Sequence, residues 1–401
     1  MTDRKRPRLK QGAGGALPSF LVMDVIRQAN ARQRSLPAGA PGVLRLEVGQ
    51  PGTGAPALAV EAARSALGRK LALGYTEAFG LRSLRERIAR HYREFYRADV
   101  APDRIAVTTG ASGGFLLAFL SAFDPGDRIA LASPYYPPYN NILHALGMRP
   151  VVLEATEASR FQPTVPMLEA LRDTPEGLPD GLIVASPGNP AGTTLSRREL
   201  DFLAGYCERE GIRLISDEIY HGLNWEAPPD TAATPTGTAI VINSFSKYWS
   251  MTGWRVGWMV LPPDLAGAAE RLKQNLFISA PHISQVAAEA AMDATDEIEA
   301  NAARYRRSRG LLLRALPEAG LADLSPAQGG FYVYARLPDA AEDSLGFCER
   351  LLNHHSIAAT PGIDFDPRRG HRFVRFSYCG AEADIAEAAE RLKIFDPRSA
   401  G

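Results

Sequence analysis

The stretch that decides the fold is Ser244-Phe245-Ser246-Lys247-Tyr248-Trp249-Ser250-Met251-Thr252-Gly253-Trp254-Arg255-Val256-Gly257. It follows the apolar run Ile240–Asn243, which reads as a strand. A lysine is ordinarily a surface charge. Lys247 instead lies among Phe245, Trp249, Met251 and Trp254, which predicts burial. Burial disfavours the ammonium form, lowers the pKa and makes the amine a competent nucleophile. Upstream, Asp217-Glu218-Ile219-Tyr220 ends the run Arg213–Ser216, and Ser186-Pro187-Gly188-Asn189-Pro190-Ala191-Gly192 ends the run Leu182–Ala185. Three strand ends thus offer an Asn, an Asp with a Tyr, and a Ser-x-Ser-Lys. Ligand sites of parallel α/β sheets lie at the C-terminal ends of strands.

The rhythm extends outward from these runs. Ile105–Thr109, Ile129–Ala132, Pro150–Leu153 and Val256–Leu261 complete a set of short apolar runs alternating with helical patterns. Consecutive apolar residues at this length suit strands buried on both faces. Ser196 with Glu199 forms a capping box before a helix that Gly211 stops. The fold class is therefore α/β, with helices flanking a mainly parallel sheet. After Pro263 long helical patterns take over, followed by strands at Gly330–Arg336, Ile357–Thr360 and Arg372–Tyr378 and a helix at Ala383–Phe395. These form a smaller α+β unit, joined by an N-terminal segment with a helix near Phe20–Arg34. The expected division is a large domain over 49–285 and a small one over 1–48 with 286–401.

Composition removes other classes. The 401 residues carry 45 Lys+Arg and 45 Asp+Glu, so a basic nucleic-acid-binding or membrane-surface role is not expected. No run reaches the roughly 18–20 apolar residues that span a bilayer. Arg4, Lys5, Arg6, Arg8 and Lys10 are not followed by an apolar segment, so no secretory signal is expected. Cys207, Cys348 and Cys379 are far apart, with no C-x-x-C pair. The adjacent His354 and His355 have no metal-ligand spacing, and no metal is expected. The cytoplasm is the default location.

Gly110-Ala111-Ser112-Gly113-Gly114 matches the G-x-S-x-G of a hydrolase nucleophile elbow, between a strand and a helix. His354, His355 and His371 lie downstream as partners, but no HGGG-like oxyanion segment precedes Ser112. The other reading is a small-residue helix start whose backbone N–H groups hold an anion such as phosphate.

Taken together, the chain resembles the class I/II aminotransferases, the aspartate aminotransferase-like fold-type I family that uses pyridoxal 5′-phosphate. The resemblance runs in order through Val48-Gly49-Gln50-Pro51, Tyr75-Thr76, Gly80-Leu81-Arg82, the Gly110 turn, Ser133-Pro134-Tyr135-Tyr136-Pro137, Asn189-Pro190-Ala191-Gly192, Asp217-Glu218-Ile219-Tyr220, Ser246-Lys247, Arg255 and Arg375. It implies a seven-stranded, mainly parallel sheet in the large domain. It implies that Lys247 binds the cofactor covalently and moves the substrate α-proton, and that Asp217 pairs with the pyridine nitrogen. Asn189 and Tyr220 then bond the cofactor's phenolic oxygen, and Tyr136 stacks on the ring, with Tyr135 its rival. Arg255, Ser244, Ser246 and the backbone of Ala111 and Ser112 hold the phosphate. Tyr75 reaches the phosphate of the neighbouring subunit in a homodimer. Arg375 clamps the substrate α-carboxylate, with Gly49 and Asn189 beside it. Two departures stand out: Gly49-Gln50-Pro51 replaces the more usual Gly-Glu-Pro, and Gly113-Gly114 replaces a Glu or Gln followed by Ala. The activity implied is ping-pong transfer of an amino group from an α-amino acid to a 2-oxo acid such as 2-oxoglutarate. A lyase or decarboxylase on the same scaffold is the alternative, since a fold does not fix a reaction.

Overall fold

A computed structural model describes residues 9–69, 72–234, 236–339, 341 and 343–395. Arg4, Lys5, Arg6 and Arg8 of the basic terminus lie outside the described residues. In chain order the strands are β1 (Leu44–Arg45), β2 (Ile105–Thr108), β3 (Arg128–Ser133), β4 (Arg149–Glu154), β5 (Gly181–Ala185), β6 (Arg213–Asp217), β7 (Ile240–Ser244), β8 (Gly257–Val260), β9 (Tyr332–Arg336), β10 (Ile357–Ala358), β11 (Thr360–Pro361) and β12 (Phe373–Ser377).

Seven of these strands form one sheet in the order β2-β8-β7-β6-β5-β3-β4. Six point the same way, and β8 runs against them, antiparallel to both β2 and β7. All seven apolar runs are strands, within a residue or two at each end. The physical reason is burial on both faces. Successive side chains of a strand point to opposite faces. Ile183, Ile215 and Ile242 pack on one side with Phe115 and Phe119 of the helix Gly110–Ala122. Leu182, Val184, Leu214 and Val241 belong to the core on the other side. The exception is β4. It is an edge strand, and only Leu153 is buried in it. Its apolar residues therefore do not have the two covered faces expected of them.

The connecting helix Arg197–Glu210 carries both halves of the capping box. The Glu199 carboxylate accepts from Ser196 N–H at 2.8 Å, and Gly211 ends the helix with φ 72°. Beyond β8 come three helices, Pro263–Leu276, His282–Ala291 and Thr295–Glu318. The later strands make a three-stranded antiparallel sheet, β11-β12-β9, in which Arg375 sits opposite Thr360 and Tyr334. The run expected over Ile357–Thr360 is split: β10 pairs in parallel with β1, whereas β11 joins β12. The N-terminal helix is Leu21–Ser35, packed through Val25 and Ala29 onto Val43, Leu352 and Ala358. Among the described residues no helix is long and apolar enough to cross a membrane, and no group of three or more His, Cys, Asp or Glu is disposed to hold a metal ion.

Candidate active site

A cavity of about 700 Å³ opens at the C-terminal ends of β5, β6 and β7. The start of the helix Gly110–Ala122, the segment Val48–Gln50, β12 and the N-terminal helix close its other sides. In-register pairing sets the sheet side of this cavity, because Asp217 of β6 is level with Ala185 of β5 and Ile242 of β7.

Lys247 follows β7 and is partly buried. Its Nζ donates to the Gly49 carbonyl at 2.7 Å and lies about 6 Å from the Tyr220 and Phe331 ring centres. Removal from water disfavours its charged form and pushes its pKa down to about 8. Gly49 must be glycine. A Cβ there would fall 1.6 Å from the Tyr332 hydroxyl.

Asp217 is almost fully buried. One oxygen accepts from the Tyr139 hydroxyl, the other from the Ile219 N–H at 3.1 Å. Burial raises its pKa to about 6, and those two donors oppose the rise. A carboxylate this deep calls for a cationic partner. Tyr139 is a contact the sequence reading did not find. Tyr139→Phe is expected to remove one donor to the ionised form, so that the Asp217 pKa rises further. The acidic limb of the activity profile then moves to higher pH, and turnover near neutrality falls by about tenfold. A pH–rate profile superposable on that of the unaltered protein contradicts this.

At the opposite end, the helix Gly110–Ala122 begins with no side-chain cap and no acidic residue in its first turn. Such a start is a ready anion site. Gly110 has φ +71°, and a Cβ on it would lie 2.5 Å from the Arg255 guanidinium. Arg255 itself takes a left-handed φ of 50° and is exposed toward the cavity, donating to the Thr252 carbonyl at 3.0 Å. The Ser244 hydroxyl donates to Ser246 Oγ at 3.0 Å, and both serines line the cavity. Within the Gly113-Gly114 departure, Gly113 is explained by packing, since a Cβ there would lie 2.5 Å from Thr109 Oγ1.

On the third side, Arg375 of β12 is 2% exposed. Its guanidinium donates to Asn189 Oδ1 at 2.8 Å, to Thr360 Oγ1 at 3.1 Å and to the Glu47 carbonyl, and it stacks on the Tyr332 ring at 4.4 Å. Its Nε has no hydrogen-bond partner among the described residues. The Tyr220 hydroxyl lies 3.0 Å from that of Tyr332.

Gly49, Ala111, Ser112, Tyr136, Asn189, Asp217, Tyr220, Ser244, Ser246, Lys247, Arg255 and Arg375 thus meet in one cavity. Tyr135 does not line it; its backbone N–H donates to the Phe365 carbonyl at 3.0 Å. Tyr75 does not line its own chain's cavity either and is 82% exposed. Among the described residues no histidine lines the cavity. His354 and His355 end the helix Ser344–His355, and His371 lies in the turn Gly370–Arg372, so no triad forms around Ser112. Besides Tyr139, the sequence reading missed Tyr332 and the N-terminal helix as cavity walls. Spacing carried a signal for Tyr139 alone, three residues after Tyr136 at a helix start.

The donor set suits a flat, phosphorylated, cationic ring that bears a carbonyl. It offers an uncapped helix start with an arginine and two serines, a buried carboxylate, an amine of lowered pKa, and a separate arginine. This constellation, on this sheet, defines an aminotransferase of fold type I. The chain belongs to the aminotransferase class I and II family, whose family model matches residues 41–392. It is 45% identical to the valine–pyruvate aminotransferase of Mycobacterium tuberculosis, over 99% of this chain and 100% of that protein. A crystal structure of an aminotransferase from Mycobacterium tuberculosis superposes with a TM-score of 0.91 at 45% identity, covering 96% of this chain and 98% of the other. The aspartate aminotransferase of Thermus thermophilus with maleate gives 0.88 at 28% identity, covering 96% and 99%. The chain is a transaminase.

Proposed function

We propose that this transaminase uses pyridoxal 5′-phosphate to move the amino group of an α-amino acid to a 2-oxo acid by a ping-pong route. The observation that carries the reading is the meeting of Lys247, Asp217 and Arg375 in one cavity. The bound cofactor would supply an electron sink for the carbanion left when the α-proton departs. Asp217 would keep its ring nitrogen protonated, while Asn189 and Tyr220 hold its phenolic oxygen. Tyr136 would cover its face. Arg255, Ser244, Ser246 and the backbone of Ala111 and Ser112 would hold its phosphate. Arg375 would take the substrate carboxylate in a bidentate fork, with Asn189 and Gly49 bounding the site. Lys247, freed from the cofactor when the amino acid arrives, would carry the proton from the substrate α-carbon.

The acceptor named by the sequence reading is 2-oxoglutarate. Pyruvate is a second reading, favoured by the name of the Mycobacterium tuberculosis relative and by the lining, whose only arginines among the described residues are Arg255 and Arg375. Incubation of the holoenzyme with ¹⁵N-labelled amino acids and either oxo acid, read by product mass, tests both. Labelled glutamate or labelled alanine is the expected product. Carbon dioxide or a β-cleavage product without transferred label would establish the decarboxylase or lyase instead.

The proposal includes a homodimer with shared sites, a cytoplasmic location in keeping with three free buried cysteines, and the division into 49–285 and 1–48 with 286–401. Exposed Tyr75 supports the sharing, because it is available to a second subunit. Tyr75→Phe is expected to weaken cofactor binding, and Lys247→Ala to stop turnover. In a hybrid dimer one site collects both lesions and the other is native. Random reassortment of an equal mixture gives about half hybrids, so about a quarter of all sites regain both residues. At limiting cofactor the reassorted mixture should exceed either parent. Activity equal to the parental mean, with hybrids verified by mass, would show that Tyr75 does not act across the interface.

A further inference from the structure

We infer that the amino donor carries an apolar side chain, and that the helix Leu21–Ser35 reads it through Met23 and Ile26; the inference rests on the transamination reading above. The first argument is a ledger of charge. The charged side chains lining the cavity are Asp217, Lys247, Arg255 and Arg375. In the proposed mechanism all four are engaged: Asp217 by the ring nitrogen, Lys247 by the covalent link, Arg255 by the phosphate and Arg375 by the α-carboxylate. Among the described lining residues of this chain, no cation is left for a second carboxylate, and no anion for a donor that ends in an ammonium or guanidinium. A charged side chain would lose its water there without a partner.

The second argument is the wall itself. The helix has two working faces. Val25 and Ala29 pack onto Val43, Leu352 and Ala358. The other stripe, Met23 and Ile26 three residues apart, lines the cavity together with Phe20. Residues at that spacing share one side of a helix. Phe20 also meets Tyr136 edge-on, with ring centres 5.9 Å apart at 80°, so the stripe adjoins the ring that would cover the cofactor.

The third argument is that this wall is fixed. The Asp364 carboxylate accepts from the Leu21 N–H at 3.0 Å and from the Val22 N–H at 3.2 Å, pinning the first turn. Each of its two oxygens thus accepts from one backbone N–H of that turn. Asp364 is a positioning residue for the wall.

The test uses the dimeric holoenzyme and single half-reactions, which need no acceptor. Leucine, methionine, aspartate and lysine are each mixed with it, and the rate of cofactor conversion is read by absorbance. Leucine and methionine are expected to exceed aspartate and lysine in second-order rate by about a hundredfold. Met23→Arg, and Ile26→Arg as an independent variant, should each lower the leucine-to-aspartate ratio by about tenfold or more while cofactor affinity is kept. Asp364→Ala should raise half-saturating leucine about fivefold with the saturated rate unchanged. Aspartate or lysine reacting as fast as leucine overturns the inference and leaves transamination standing. A ratio unmoved by both arginine variants, each retaining cofactor, also overturns it. No half-reaction with any amino acid overturns both readings.

Discussion

Lys247→Ala is expected to lower turnover by about 10⁴-fold or more, while the protein still takes up the cofactor noncovalently. Among the described residues Lys247 is the sole lysine lining the cavity, and its Nζ makes one hydrogen bond, to the Gly49 carbonyl at 2.7 Å. Alanine removes the amine and leaves Asp217, Arg255, Ser244 and Ser246 in place. Binding and chemistry should therefore separate. Equilibrium dialysis should find retained cofactor, and stopped-flow mixing with an amino acid should find almost no proton transfer. Lys247→Arg sharpens the point. Arginine keeps the positive charge but does not give up its proton near neutrality, so it too should be inert. Native Lys247 carries a pH signature. Its pKa is depressed by burial to about 8, so the neutral amine is scarce well below pH 8 and predominates above it. The rate at which the apoenzyme captures cofactor covalently should rise with pH through about 8 and then level. A variant at position 247 that kept ordinary turnover would remove the lysine from the mechanism.

Arg375→Lys is expected to reduce kcat/KM for amino-acid substrates by about tenfold to a hundredfold, with cofactor binding preserved. That range corresponds to about 1.5–3 kcal/mol for a lost charged hydrogen bond. Arg375 is buried on β12 between Thr360 and Tyr334, and its fork is oriented by Asn189, Thr360 and the Glu47 carbonyl. The unpartnered Nε is a donor in reserve. Lysine brings the charge but neither the plane nor the second parallel donor, and it cannot stack on Tyr332 as a flat group. The lesion should fall on half-saturation by the amino acid, and an amine lacking a carboxylate should be indifferent to the substitution. Equal half-reaction rates for the two proteins would sink the assignment.

Much of this was legible in the sequence for a definite reason. Strands buried on both faces must be apolar at consecutive positions, so β5, β6 and β7 were readable as runs, and the polar residues after them marked the site. The direction of β8 was not readable, because an apolar run carries no polarity; only its pairing with β2 and β7 fixes it as antiparallel. The exposure of β4 was hidden because covering is set by tertiary packing: β2, at the other edge of the same sheet, is buried throughout. Gly49 was readable as part of a motif, but its reason lies 283 positions away in the Tyr332 hydroxyl. Likewise the helix Leu21–Ser35 was readable as a helix. Its place over the cavity depends on Asp364, which no local pattern connects to it.

The most direct measurement of the central claim is chemical trapping. The purified protein, loaded with pyridoxal 5′-phosphate and treated with borohydride, is digested and its peptides are mapped by mass. The prediction is a yellow protein whose colour is discharged by reduction, with a phosphopyridoxyl adduct on Lys247 and on no other lysine. An adduct on a different lysine or none at all, or a serine-reactive phosphonate that labels Ser112 and abolishes activity, would contradict it.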